Sequence, residues 1–119
     1  MIKKLFYWQR IFITYLFGGK NNLSFWHGEP YINNSSNYNE LDEYYMEFFL
    51  KANYAGDYDS DGIPQLNYKG DIGIQYNPIA IAQWSLGNYN LWKQKNNKEY
   101  FEKFIKGSKW LNENLNLNE

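Results

Sequence analysis

Apolar positions along the chain fall in blocks separated by Gly, Pro and Asn. Between Met1 and Phe17, Leu5, Trp8, Phe12, Tyr15 and Leu16 recur at spacings of three, four, three and one, the period of an amphipathic helix. Gly18 and Gly19 then supply a stop. A second helix is predicted from Glu40 to Ala52, where Leu41, Tyr44, Tyr45, Phe48 and Phe49 form a stripe and Asp42, Glu43 and Glu47 lie outside it. The clearest start signal in the chain is Asn77 as an N-cap followed by Pro78. That third helix should run to about Trp92 and bury Ile79, Ala82, Leu86 and Tyr89. A fourth covers about Lys98 to Leu115, with Tyr100, Phe101, Phe104, Ile105, Ser108, Leu111 and Leu115 inside and Lys103, Lys106, Lys109 and Glu113 facing water.

Two stretches lack helical period. Residues 20–39, rich in Asn and Ser, read as a connecting segment with aromatic islands at Phe25, Trp26 and Tyr31. Residues 54–76 are loop-like, with four glycines, and an alternation through Ile63, Leu66, Tyr68, Ile72, Ile74 and Tyr76 permits one or two short extended pieces, or a hairpin turning at Lys69-Gly70-Asp71. The prediction is a mainly all-α fold: about four helices with a short β-hairpin-like loop insert, in one domain spanning 1–119.

Composition narrows the function classes. With no Cys and one His among 119 residues, thiolate zinc sites, cysteine nucleophiles and multi-histidine metal centres are excluded. A formal net charge of −1 offers no basic field for nucleic acid, and no membrane partner is expected. The first apolar block is too short and broken to span a bilayer, and Gln9 and Arg10 interrupt it as a secretory signal. A cytoplasmic location is favoured over a signal or anchor. The 25 aromatic and 17 Asn residues can build a core, or a surface that stacks on and hydrogen-bonds a polar ligand.

Local chemistry concentrates in the middle. Asp57, Asp59 and Asp61, followed by Gly62, reproduce the opening of a calcium loop, where alternating carboxylates converge on a hard cation. The twelfth position, which should supply a bidentate Glu, is Tyr68. An acidic solvated turn is therefore the favoured reading, and calcium the alternative; otherwise no cofactor is expected. His27 reads as a packing or hydrogen-bonding residue, with general acid–base work as the alternative. Glu43, Glu47 and Lys51 follow at intervals of four and read as a solvated ion-pair ladder.

Gly62-Ile63-Pro64, followed by the run Gln75-Tyr76-Asn77-Pro78-Ile79-Ala80-Ile81-Ala82-Gln83-Trp84-Ser85-Leu86-Gly87-Asn88-Tyr89, resembles the start of the C-terminal domain of the D-glucuronyl C5-epimerase family. Leu23-Ser24-Phe25-Trp26-His27-Gly28 and the 57–62 turn resemble its bacterial members, so the likeness extends over roughly residues 20–115. The resemblance implies that the helices form part of an α/α toroid. It also implies a cofactor-free inversion of D-glucuronate to L-iduronate at C5 in a heparosan-like acidic polysaccharide. A base removes the proton alpha to the carboxylate and an acid returns one from the other face. The catalytic Tyr and Glu groups of the family are then expected beyond residue 119, with this chain an incomplete first portion of the domain. An open segment of that kind would self-associate or pair with the remainder of the domain. The substrate-binding Gln of the signature falls at Gln83; the family's Tyr before Pro is Asn77 here, with Tyr76 beside it, and a further binding Gln falls at Tyr68. Tyr68, Tyr76, Asn77 and Gln83, with Trp84 nearby, are thus the expected sugar-binding set. A non-catalytic carbohydrate-binding or scaffold domain is the alternative.

Overall fold

A computed structural model describes residues 2–17, 22–37, 39–68 and 70–115, and its architecture follows from one helix that is buried nearly all round. In chain order the elements are α1 (Ile2–Phe17), α2 (Asn22–His27), β1 (Tyr31–Ile32), β2 (Met46–Glu47), α3 (Phe49–Ala52), β3 (Asp57–Tyr58), β4 (Pro64–Asn67), β5 (Ile74–Gln75), α4 (Pro78–Lys95) and α5 (Lys98–Asn114). β1 pairs antiparallel with β2, and β3, β4 and β5 form an antiparallel three-stranded sheet in that order.

The caps of α4 are legible in its ends. Asn77 is extended, and its Oδ1 accepts from the Ala80 amide at 3.1 Å, with Pro78 opening the helix. Asn96 takes the left-handed conformation that closes it, donating its amide to the Trp92 carbonyl at 2.8 Å. Asn97 caps α5 at once through the Glu99 amide at 3.0 Å, so two residues turn the chain and α4 and α5 lie against each other.

Small residues let α4 meet its neighbours closely. A side chain at Gly87 would overlap the Phe48 carbonyl oxygen, and one at Gly107 would overlap the Ser85 hydroxyl. Gly87 thus receives the chain around α3, and Gly107 brings α5 onto the Trp84–Ser85 turn of α4. Ala80, Ile81, Trp84, Ser85, Gly87, Asn88, Asn90 and Leu91 are all buried. The predicted inner face was Ile79, Ala82, Leu86 and Tyr89. Ile79 is instead exposed and the other three are half-buried, because contacts on two sides spread burial around the helix. In α5 the tight contact is Gly107, while Ile105 and Leu115, predicted inside, are exposed.

The expected mainly all-α toroid segment is corrected: two small antiparallel sheets make the fold mixed α and β. Residues 40–48 account for much of the difference. They form no helix; the chain runs through β2, and only Phe49–Ala52 is helical. Side chains of α4 take over the backbone hydrogen bonds that a helix would have made internally. Asn90, fully buried, donates Nδ2 to the Tyr44 carbonyl at 2.9 Å and accepts the Tyr44 amide at 2.8 Å. The Tyr89 hydroxyl donates to the Asp42 carbonyl at 2.9 Å, and Lys93 Nζ to that of Leu41 at 2.7 Å. The connecting segment is likewise more ordered than predicted, since it contains α2 and β1. The hairpin is present between β4 and β5, closed by the Tyr68 amide on the Gly73 carbonyl at 2.9 Å. α1 matches the first predicted helix; the Gly18–Gly19 stop lies outside the described residues.

Asn90→Ala removes both partners of the Tyr44 backbone at once. Urea unfolding is expected to show a loss of about 2–4 kcal/mol, whereas Gln94→Ala on the exposed rim costs less than about 0.5 kcal/mol.

Candidate functional site

Three of the four expected sugar-binding residues meet at the start of α4. Asn77 uses both ends of its amide: Oδ1 caps the helix while Nδ2 donates to the Tyr68 hydroxyl at 2.8 Å. Tyr76, immediately before it, donates its hydroxyl to Asp59 Oδ2 at 2.6 Å. The Tyr76 ring leans on Trp110 of α5, with centroids 5.0 Å apart and planes at 38°. Tyr68 and Tyr76 remain 40% and 41% exposed, so an incoming molecule can reach both rings; with Asn77 and Trp110 they make up the candidate shelf.

Gln83 makes none of the bonds that join these residues. It lies one helical turn before Gly87 on the face that continues through Asn90 and Gln94 toward residues 43–48. Its Oε1 is buried without a hydrogen-bond partner among the described residues. Trp84 is 2% exposed and packs edge-on against Tyr58, so it belongs to the core rather than to a sugar-stacking surface.

Asp59 holds the acidic turn together and reaches Tyr76 as well. Its Oδ1 accepts the amides of Asp61 and Ile63, both at 2.9 Å, inside the turn that joins β3 to β4. Gly62 completes that turn at φ +83°, a conformation glycine adopts without steric cost. Burial pushes the Asp59 carboxyl up. The Tyr76 hydroxyl and the amides of Ile63, Asp61 and Gly62 outweigh it, and the net pKa falls below the ordinary 3.8. The same bond to Asp59, foremost, raises the Tyr76 phenol above its ordinary 10.0 and keeps it a donor. The calcium candidates Asp57, Asp59 and Asp61 do not converge: among the described residues no three metal-ligating side chains are grouped to hold an ion. The calcium alternative arises because an Asx-type turn and a calcium loop open with the same Asp and Gly spacing.

Other expectations change similarly. Lys51 does not continue an exposed ladder; it is 4% exposed, with its ammonium 4.9 Å from the Phe25 ring centroid and 5.7 Å from that of Trp26. Burial lowers its pKa. Glu43 instead accepts from Gln94 Nε2 at 3.0 Å, and Glu47 lies in β2. His27 ends α2 at the surface. Trp110 was not singled out by sequence reasoning; its one signal is its place a turn after Gly107, the residue that seats α5 on α4.

No family model, curated protein or solved structure matches the chain.

Two outcomes follow. Because the folded Asp59 pKa is depressed, its contribution to stability is present above pH 3.8 and is lost as pH falls through the lower folded value. The urea midpoint should drop in that acid window, and by less in Tyr76→Phe, where one of the stabilising bonds is gone. Millimolar calcium should leave the melting temperature unchanged, since the Asp59 oxygens are already occupied; a rise abolished by Asp57→Asn with Asp59→Asn would reverse this assignment.

Proposed function

We propose that the shelf of Tyr68, Tyr76, Asn77 and Trp110 binds an acidic polysaccharide of the heparosan type, in the manner of a D-glucuronyl C5-epimerase substrate groove. The observation that carries the reading is the exposed Tyr76 ring against Trp110, with the Tyr68–Asn77 hydrogen bond beside it. Sugar rings stack their C–H faces on aromatic faces, and their hydroxyls exchange hydrogen bonds with phenol and amide groups. Lys106 Nζ lies 3.9 Å from where a Gly62 side chain would begin, a cation beside the turn whose Asp59 and Asp61 carboxylates also act on Tyr76, and it offsets part of their repulsion of a uronate.

Chemistry at C5 needs a base with a free lone pair facing the sugar and an acid opposite. Asp59 has one carboxylate oxygen on two amides and the other on Tyr76, and Tyr76 is held protonated. The shelf therefore supports binding and orientation rather than proton abstraction, which also leaves a purely carbohydrate-binding role in play.

Heparosan oligosaccharides titrated into the chain should give a saturable isothermal calorimetric signal. Tyr76→Ala should weaken it by about 1–2 kcal/mol, or roughly five- to thirty-fold. Absence of any heat with heparosan would refute the reading. Release of tritium from C5-labelled heparosan by the chain alone would show that it binds and also turns over, contrary to the assignment of the shelf.

A further inference from the structure

α1 is the part of the surface that the proposed sugar shelf does not use and the rest of the fold does not cover. Among the described residues its main tertiary contacts are with α2. Ile2, Leu5, Phe6, Tyr7, Trp8, Phe12, Ile13 and Leu16 are each 54–72% exposed. Leu5, Trp8, Ile11, Phe12 and Leu16 line an open apolar groove along the helix.

Two features say what fits this helix. The first is the width of its apolar side. At about 100° per residue, the large apolar positions sweep an arc of roughly 240°, interrupted by Lys4 and Gln9. Lys3 falls on the remaining side. A helix packed on one face presents an apolar stripe of about 100° or more, and only a helix covered on most sides is apolar nearly all round. An arc this wide calls for cover beyond the body of the fold, and Trp8, Phe12 and the aliphatic side chains beside them are the residue types that enter the boundary between headgroups and acyl chains. The second feature is charge. α1 carries Lys3, Lys4 and Arg10 and no acidic residue. With +3 in α1 and −1 overall, the rest of the chain holds −4. An anionic surface attracts the helix and repels the body, which orients the molecule. No helix among the described residues is long and apolar enough to cross a membrane, so the mode is adsorption in the plane of the surface.

We propose that α1 docks the protein on the surface of an anionic lipid bilayer, with Trp8 and Phe12 seated in the interface and the basic residues at the headgroups. The test uses the whole chain and co-sedimentation with vesicles of equimolar phosphatidylglycerol and phosphatidylcholine, and with vesicles of phosphatidylcholine alone. Binding is expected to the anionic vesicles and at least tenfold weaker to the neutral ones. Replacing Lys3→Gln together with Lys4→Gln should weaken it on the order of fivefold per residue. Phe12→Ser should weaken binding too; Lys3, Lys4 and Phe12 are exposed, so the folded state is retained and an unchanged thermal midpoint checks it. Failure to bind anionic vesicles would overturn the proposal, as would equal binding to both kinds unaffected by the lysine changes. A concentration-dependent dimer in sedimentation velocity, broken by Phe12→Ser and accompanied by no vesicle binding, would assign the face to a second copy and overturn it equally.

Discussion

The two hydrogen bonds between the Asn90 side chain and the Tyr44 backbone organise the rest of the fold. A primary amide presents a donor and an acceptor side by side, which matches the N–H and C=O of one extended residue. Asn90 is fully buried, so both bonds form away from competing water, and leaving either half unmade carries a desolvation cost. Tyr89 and Lys93 extend the contact to Asp42 and Leu41, while Gly87 removes the side chain that would keep the Phe48 carbonyl away. Together they hold residues 41–48 along α4, deliver Phe48, Ala52 and Tyr54 to the core, and leave the aromatic chain Trp26–Tyr54–Tyr58–Trp84 in continuous contact.

The candidate site depends on that core without being part of it. Tyr54 donates its hydroxyl to the Gln65 carbonyl at 2.9 Å, and Tyr58 donates to the Tyr54 carbonyl at 2.6 Å, which ties the β3–β4 hairpin to the buried rings. The turn at the end of that hairpin places Asp59 where Tyr76 can reach it. On the opposite side, Gly107 seats α5 on α4 and so places Trp110 beside Tyr76. Two strandlike turns and two helices thus converge on one exposed phenol, which is why a short, aromatic-rich chain can present a rigid polar shelf. α1 contrasts with this: its rings are exposed in number and make few contacts with the body, so the same residue types serve core, site and outer surface according to what surrounds them.

Where the signal was local, the sequence alone determined the outcome. Asn77-Pro78 marks the start of α4 because the cap needs only a side-chain oxygen and a missing amide, both properties of the residues themselves. The β4–β5 hairpin and the helices over 2–17 and 98–114 follow from period and turn chemistry in the same way. Tyr68, Tyr76 and Asn77 lie near one another because they flank one hairpin and one helix start. Tertiary structure decided the remainder. The stripe from Leu41 to Phe49 has helical spacing, but α4 offers Tyr44 backbone partners at long range, and such partners leave no trace in a local pattern. Gln83 and Trp84 sit in the middle of α4, where packing on two sides buries one oxygen and one ring that a one-sided helix would have displayed. The acidic turn around Asp59 is legible as a turn, but the partner of its second oxygen is not; only the folded chain brings Tyr76, seventeen residues away, within 2.6 Å.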